Sequence, residues 1–368
     1  MKKVVIGMSG GVDSSVAAIL LQKQGYEVIG LFMRNWDSSI NNDILGNPTL
    51  NNNICPQEQD YNDALKVCEK LNIPLHRIDF VKEYWDYVFK YFLDELSKGR
   101  TPNPDIMCNK YIKFDMFVKE ALKLGADFIA TGHYARIKDN KLLKGIDDNK
   151  DQTYFLSQLS KKQLSNVLFP VGELEKKDVR KIALEYDLIT AKKKDSTGIC
   201  FIGERNFTNF LKNYLPNNPG KIVNVENNEI IGEHVGLMYY TIGQRKGLNI
   251  GNKTERTFVV GKDIEKNILY IAFNDENEYL FTDEAVIDTV NWIGEEKPTQ
   301  CTAKFRYRQK EIPVELEFIN DDTIIVKYET KAKAVTPGQA CVFYQGEECL
   351  GGGIIKEVRK NGKKLWYL

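Results

Sequence analysis

Three stretches of the chain carry residues whose types and spacing could do chemistry. The first is MSGGVDSS, residues 8–15, between the apolar run Val4, Val5, Ile6 and an amphipathic run that ends at Gly25. Ser9, Gly10 and Gly11 let the backbone curl and present bare N–H groups at a helix N-terminus, which makes an anion site. Ser14 and Ser15 add hydroxyls, but the lysine that closes a Walker loop is missing. Asp13 would repel an anion, so it makes sense there as a helix cap or as a carboxylate that helps hold Mg²⁺ against phosphates. The second stretch is GRTPNPDIMCNKYIKF, residues 99–114. Pro102 and Pro104 stiffen it, and Asp105 and Cys108 lie three apart ahead of a helix expected from about Lys110. A thiol near a helix N-terminus and a lysine is activated, although a free cysteine is more often a small buried filler, and both readings stand for Cys108. The third is AKKKDSTGICFIGER, residues 191–205, where Cys200 follows a Thr-Gly turn and three lysines that would favour its thiolate or meet a phosphate backbone.

The SGGVDSS loop resembles the PP-loop of ATP pyrophosphatases, which cleave ATP between the α- and β-phosphates and adenylate a substrate. That resemblance removes the need for a Walker lysine. Two reactive, exposed thiols beside an adenylating loop then suggest one reaction. ATP activates a carbonyl oxygen, a persulfide on one cysteine displaces AMP, and the second cysteine releases the sulfur as a disulfide forms. Of the other five cysteines, Cys68 lies in a helix pattern, and Cys301, Cys341 and Cys349 in strand-like runs. Cys55 is the one extra candidate.

These residues need elements to hold them. The first half alternates strand-like and helix-like runs, a βαβ rhythm that predicts a doubly wound parallel sheet. Ligands bind such a sheet at the carboxyl ends of its strands, where the loops at Ser9, Met33 and Gly132 fall. From about residue 210 the pattern turns to short alternating strands, read as antiparallel β in a barrel or small sandwich, with a hairpin turning at Asn227 and Asn228. The expected domains are 1–210, a catalytic ATP-binding domain; 211–280, a small β-rich central domain; and 281–368, a β-barrel. Residues 38–60 are Asn-rich and aperiodic and read as a long loop. In FRYRQK, Arg306 and Arg308 are expected on one face of a strand, either for RNA or simply solvated. The tail IIKEVRKNGKKLWYL sets five basic residues against one Glu.

Composition narrows the class. The 368 residues are 42% hydrophobic with a formal net charge of zero, so any polyanion must meet a local basic patch. No apolar stretch approaches the roughly 18 residues a membrane span needs. Seven irregularly spaced cysteines without a CxxC pair argue against a disulfide scaffold or zinc knuckle, and a reducing cytoplasm is the expected setting. Three scattered histidines make no zinc set, and no resident metal site is expected. His133, at a strand end, reads as a base or as a group that orients a phosphate or caps a helix.

Taken in order, SGGVDSS, LFMRNW, TPNPDIMCNKYIKF, ATGHYAR, KDQTYFLSQL, FPVGELEKKDVRKIA, KKKDSTGICFIGER, GLMYYTIGQRKGL, FRYRQ and TPGQACVFYQGEECLGGG are similar to the tRNA-specific 2-thiouridylases, the MnmA/TrmU family, over essentially the whole chain. The resemblance implies an ATP-dependent tRNA-uridine 2-sulfurtransferase that converts the C2 carbonyl of the wobble uridine to a thiocarbonyl. It implies that Gly7, Met8, Ser9, Gly10, Gly11, Val12, Asp13, Ser14, Met33 and Gly132 bind ATP, and that Asn103, Pro104 and Asp105 meet the uridine. It makes Cys108, with Asp105, catalytic; Cys108 forms a disulfide with Cys200, which carries the persulfide. Lys150, Asp151, Gln152, Tyr307 and Arg308 would contact tRNA, and the resemblance alone implies that the central domain at 211–280 binds it. The implied partners are the tRNA anticodon stem-loop and a sulfur donor such as a cysteine desulfurase or relay protein, acting on a monomer. The loop at 38–60 departs from the family pattern, which leaves the donor's docking surface open. Two other readings remain: an amidating ligase of the same superfamily, which needs no thiol pair, and a non-catalytic ATP-gated RNA-binding protein. Replacing Cys200 separates them.

Overall fold

The computed structural model describes residues 1–50, 55–195, 198–200, 202–203, 205–248, 250 and 255–368. Five parallel strands run β3-β2-β1-β4-β7: β1 (Lys3–Gly7), β2 (Glu27–Arg34), β3 (Leu75–Asp79), β4 (Phe128–Ala130) and β7 (Val167–Leu168). A parallel sheet covered on both faces has continuous apolar strands, and Val4, Val5 and Ile6 are all fully buried. Alternation splits them between two cores. Val4 and Ile6 pack with helices α1 (Val12–Lys23) and α2 (Pro56–Leu71), and Val5 with the aromatic cluster on the other face.

That second face holds two long helical stretches. α3 spans 81–97 with a π-helical turn at Trp85–Phe89, and α4 spans 104–123 with a π-helical segment at Cys108–Met116. α4 therefore starts six residues before the expected Lys110. Asn103 caps it, its Oδ1 accepting from Asp105 N–H at 3.1 Å, and Pro104 takes the first helical position, which needs no donor. Cys108 thus lies inside the helix, fully buried. π segments of this kind are rare and cluster at functional positions.

A hairpin, β5 (Ala135–Lys138) and β6 (Lys141–Lys144), leaves the parallel sheet. The central strands β8 (Gly220–Asn224), β9 (Ile230–His234), β10 (Thr257–Asp263) and β11 (Ile268–Phe273) form a separate sheet ordered β10-β11-β8-β9. It is mixed rather than wholly antiparallel, because β11 and β8 run parallel. The hairpin turn at Asn227 and Asn228 is present, with Asn228 left-handed at φ 60°. The last strands are β12 (Phe281–Trp292), β13 (Gln300–Lys304), β14 (Ile312–Phe318), β15 (Ile324–Lys333), β16 (Ala340–Gln345) and β17 (Glu348–Lys360). They run β12-β15-β14-β13-β16-β17, and β17 pairs back onto β12 to close a barrel. β6 continues this sheet from β17, so the hairpin of the first half is stitched to the barrel. FRYRQK is a turn, not a strand. β13 ends at Lys304, and Phe305 N–H donates to Gln309 Oε1.

All three parts meet at residues 99–101. Lys262 Nζ of the central sheet donates to Gly99 O at 2.8 Å. From the barrel side, Pro337 O accepts from Thr101 N–H at 2.9 Å, and Gln339 Nε2 donates to Thr101 O at 2.6 Å. The loop that enters α4 is thus held from both other domains.

Candidate active site

A cavity of about 680 Å³ opens at the carboxyl ends of the parallel strands, within the size range of ligand sites. The glycine-rich loop forms one wall. Gly10 is left-handed at φ 69°, and a Cβ there would lie 2.1 Å from Asp60 O, so only glycine fits. Ser9 N–H donates to Ser14 Oγ at 3.2 Å, and the Ser14 and Ser15 hydroxyls donate to Gly11 O, which stiffens the turn from within. Gly11 caps α1 without a side-chain bond, so the helix N-terminus faces the cavity uncapped. A Cβ on Gly132 would sit 2.8 Å from Ser14 N, which is why that strand end carries glycine.

Asp13 is not the helix cap, which is Gly11. Both its oxygens accept from Lys176 Nζ, at 2.7 and 2.8 Å, and Tyr134 OH donates to Oδ1 at 2.7 Å. Lys176, from α5 (Lys176–Glu185), also pairs with Asp195, as do Lys150 and Arg180. Against the cost of partial burial, Lys150 and Lys176 hold the Asp195 carboxyl down to about 2. Among the described residues no group of three or more His, Cys, Asp or Glu could hold a metal ion. Lys193 is turned away from the thiols: its Nζ donates to Gly10 O, Asp60 and Asp63, at 2.9, 2.7 and 2.6 Å, tying the loop to α2. The chain carries no net charge, but Lys113, Lys150, Lys176, Lys193, Lys194, Arg205 and Arg308 line the cavity against Asp13, Asp60, Asp105 and Asp195. This excess is the local basic patch that an uncharged chain needs in order to meet a polyanion.

The two thiols meet at the cavity's inner end. Cys200 is half-buried in the wall, and Cys108 lies behind it, wholly inside the protein. The expectation of two exposed, activated thiols is corrected: burial pushes the Cys108 thiol well up. Cys200 moves the other way. A hydrogen bond from Cys108 holds its thiol below the ordinary range against burial, and the Lys113 ammonium assists. Burial opposes the charge on Lys113, but Cys200, Cys108 and Asp105 together keep it raised. The activating lysine is therefore Lys113, one helical turn beyond Cys108. Lys110, the neighbour singled out in the sequence, reaches Gln158 instead. Thr197, of the turn before Cys200, lies outside the described residues.

The Cys200 peptide is held at both ends. Its N–H donates to Asp105 Oδ1 at 3.0 Å, and Tyr84 OH donates to its carbonyl at 2.9 Å. Burial raises the Asp105 carboxyl, opposed by this N–H and by Lys113. Tyr84 belongs to an aromatic floor in which Trp36, Phe89, Phe210 and Tyr214 pack edge to face and tilted. The Asn-rich loop is pinned to the same place. Asp43, fully buried, accepts from Trp36 Nε1 and from Arg205, and Asn206 N–H donates to Gly46 O. Residues 56–60 of that stretch belong to α2, and Cys55 stands exposed at the cavity edge. Residues 51–54 lie outside the described residues.

The remaining candidates divide. Gly7, Met8, Ser9, Gly11, Val12, Asp13, Ser14, Met33, Gly132, Asp105, Lys150, Gln152, Cys200, Tyr307 and Arg308 all line this one cavity. Gly10, Asn103, Pro104, Cys108 and Asp151 do not. The Asp151 side chain is buried and accepts from Gly145 N–H, Thr153 N–H and Thr153 Oγ1, which makes it a turn-former and not a surface contact here. Gln152 Oε1 accepts from Tyr134 N–H. Tyr307 packs on Phe155 with centroids 4.3 Å apart, both rings at the cavity, and Arg308 is exposed. Arg306 does not share its face: its guanidinium donates to Ile242 O and Thr336 Oγ1 between domains. His133 is buried, 2.7 Å from Thr131 Oγ1, and burial, with Lys113 assisting, pushes its imidazole well down, which keeps it neutral and makes it a weak base.

Comparison with known proteins agrees along the whole chain. A family model described as tRNA methyl transferase HUP domain matches residues 2–204, a PRC-barrel domain model of the same series matches 208–273, and an aminomethyltransferase beta-barrel domain model matches 282–355. The protein named tRNA-specific 2-thiouridylase MnmA in Mesoplasma florum is 58% identical over 96% of this chain and 98% of its own length. Its namesake in Mycoplasma capricolum is 56% identical over 98% and 100%. A relative in Geobacillus kaustophilus, tRNA-specific 2-thiouridylase MnmA 2, is 55% identical over 100% and 98%. The chain belongs to the tRNA-specific 2-thiouridylase family.

Within this 2-thiouridylase fold, four side chains at the site escaped the reading of the sequence: Lys113, Tyr84, Lys176 and Asp195. Lys113 gave no signal, since five beyond Cys108 is off its face in an ordinary α-helix and only the π winding brings it back. Tyr84 and Lys176 come from elements distant in sequence, and only the packing brings them in, whereas Asp195 stands in the quoted AKKKDSTGICFIGER stretch, five residues before Cys200, and was passed over there.

Proposed function

We propose that the protein catalyses ATP-dependent 2-thiolation of the wobble uridine of tRNA, as a tRNA-uridine 2-sulfurtransferase. The observation that carries this reading is the hydrogen-bonded thiol pair Cys108–Cys200 at the inner end of the cavity whose other wall is the SGGVDSS loop. The loop and the uncapped α1 N-terminus cradle the ATP phosphates, with Lys176 and Lys150 beside them. Magnesium is proposed as ATP's own counterion, arriving with the nucleotide. Asp13 and Asp195 pair with Lys176 and Lys150 at the edge of that nucleotide site.

The uridine must leave the anticodon stack to enter the cavity, and the Phe155–Tyr307 pair offers it an aromatic surface. Adenylation of the C2 oxygen releases pyrophosphate and turns that oxygen into a leaving group. Cys200, held toward the thiolate, accepts the persulfide sulfur from a donor protein. The terminal sulfur attacks C2 and AMP departs. Cys108 then attacks Cys200 Sγ beside Lys113. The sulfur–sulfur bond to the transferred atom breaks, a Cys108–Cys200 disulfide forms, and thiolated uridine is released. An external two-electron reductant restores the thiols. Asp105 acts by fixing the Cys200 peptide. Lys150, Gln152, Tyr307 and Arg308 guide the RNA, Asn103 and Pro104 shape the entry to α4, and Asp151 shapes the turn that presents Lys150. The functional division is placed at 1–210, 211–280 and 281–368, and the enzyme acts as a monomer in the cytoplasm. Among the described residues no helix is long and apolar enough to cross a membrane.

The matching domain models carry the words methyl transferase, but a buried thiol pair beside a pyrophosphate-type loop favours sulfur transfer over methyl transfer. Mass spectrometry of tRNA nucleosides after incubation with ATP, Mg²⁺ and a persulfide source tests the proposal. 2-Thiouridine at the wobble position is the expected product, and methylated or unmodified uridine would overturn it.

A further inference from the structure

A second, smaller cavity of about 210 Å³ lies where the three domains meet, away from the glycine-rich loop and the thiols. It is lined by Lys98 and Arg100 after α3, Lys262 of β10, and Lys356 and Lys364 at the end of the barrel, against the side-chain carboxylate of Glu357 and the last residue, Leu368. Lys98 and Arg100 are paired with Glu95, and Lys364 lies near Glu357. Lys356 is exposed and, among the described residues, in no ion pair. Lys262 is the unusual member. It is 4% exposed, its Nζ donates to Gly99 O at 2.8 Å, and among the described residues no carboxylate lies within ion-pair distance. Burial alone pulls its ammonium down to about 7, with no carboxylate to resist.

A buried amine in a water-accessible cavity with cations around it is unfavourable unless an anion enters. Nothing in the proposed thiolation chemistry uses these side chains. We propose that the three-domain junction around Lys262 is a phosphate-binding site, separate from the ATP cavity. A phosphate there neutralises Lys262 together with Lys356, and it sits against Gly99 of the loop that leads to Asp105 and Cys108. The occupant is either an RNA backbone phosphate, which rests on the tRNA reading above, or free phosphate.

The test uses the full chain with a non-hydrolysable ATP analogue present, so that the glycine-rich loop is filled. The melting temperature is followed against inorganic phosphate, with chloride at matched ionic strength as control. The wild type should gain stability saturably with phosphate beyond chloride, by linkage. Lys262→Met and Lys356→Glu should each raise the half-effective phosphate concentration at least about ten-fold, the cost of one charge-assisted contact. Lys356 is exposed, so Lys356→Glu keeps the test readable if Lys262→Met does not fold. No phosphate effect in the wild type, or an effect that survives both substitutions, overturns the site. A second arm measures tRNA binding against salt. With Lys356→Glu the logarithmic slope should fall by about one if RNA supplies the phosphate, and an unchanged slope assigns the site to free phosphate. If the thiolation reading itself were wrong, the nucleoside assay would fail while this titration stood unchanged.

Discussion

The glycine-rich loop and the thiol pair share one cavity but are built in opposite ways. The loop is eight consecutive residues whose backbone does the work. Gly10 and Gly11 curl it, Ser14 and Ser15 brace it, and α1 supplies the positive end of a dipole. The thiol site comes from three separate places: Tyr84 in α3, Asp105, Cys108 and Lys113 in α4, and Cys200 in a segment clamped by Arg205 onto Asp43. A backbone site tolerates change at its side chains so long as the turn survives. A site assembled from distant side chains has no such redundancy, and each loss has its own signature.

The two cysteines break this comparison most sharply. Cys200→Ser should drop tRNA thiolation to background while pyrophosphate is still released and the RNA stays adenylated, because the loop is untouched. Intact mass after persulfide loading should show no added sulfur on that variant. Cys108→Ser should take up the sulfur on Cys200 and still adenylate, yet stop short of release, leaving sulfur on the enzyme or a covalent RNA adduct. Peptide mapping of the wild type after turnover should find a Cys108–Cys200 disulfide. Normal thiolation by Cys108→Ser without that disulfide would return Cys108 to the role of a buried filler, a role its full burial also fits.

Asp13→Ala probes the other half. Asp13 holds Lys176 with both oxygens, so its loss frees an ammonium beside the phosphates. Misplacement of about an ångström near the chemistry costs on the order of 100-fold. AMP formation should fall by about that much while tRNA binding persists. Wild-type AMP release would show that the backbone alone orients the nucleotide and would widen the contrast between the two regions.

How much of this was legible follows the same division. SGGVDSS and the strand run before it are contiguous, and the parallel sheet, the anion loop and the three glycine- or methionine-bearing strand ends were readable. The start of α4 was misplaced at Lys110, although Asn103-Pro104 is a cap followed by proline at the first helical position and carried the correction in plain sight. Asp151 likewise sits in an Asp-Gln-Thr turn whose local side-chain bonds consume it. FRYRQK alternates like a strand but closes on itself through Gln309, because the barrel needs a turn between β13 and β14. Tyr84 and Lys176 had no signal, since nothing local to either residue names its partner more than 100 positions away.

Lys113→Met is a finer cut within the thiol site. Cys200 is held low first by the Cys108 hydrogen bond and then by Lys113, so deleting the ammonium should raise its thiol and leave the first cause in place. The sign is that of a lost stabilisation of the thiolate: at neutral pH the thiolate fraction falls, and alkylation of Cys200 slows. A reaction with iodoacetamide slower by about ten-fold is the expected scale. The measurement is the alkylation rate of the Cys200 peptide against pH, whose midpoint should move upward. An unmoved midpoint would assign the activation wholly to Cys108.

The smallest expected effect is at the cavity rim. Arg308 is exposed beside the Phe155–Tyr307 pair, whereas Arg306 is committed to Ile242 O and Thr336 between domains. Two arginines two positions apart thus do different things because the turn at Phe305–Gln309 points them apart. Arg308→Glu should weaken tRNA binding several-fold on every sequence and lower the logarithmic salt slope by about one, as expected for a single phosphate contact. AMP formed from ATP and bound RNA, normalised to bound complex, should not change. Arg306→Met should act the other way round, lowering the melting temperature through the lost interdomain bonds and leaving the salt slope intact. If Arg308→Glu left the slope unaltered and Arg306→Met reduced it, the turn would have been read with its faces exchanged. The rim would then belong to the interdomain bonds, and the RNA contact would have to be sought among Lys150 and Lys194 inside the cavity.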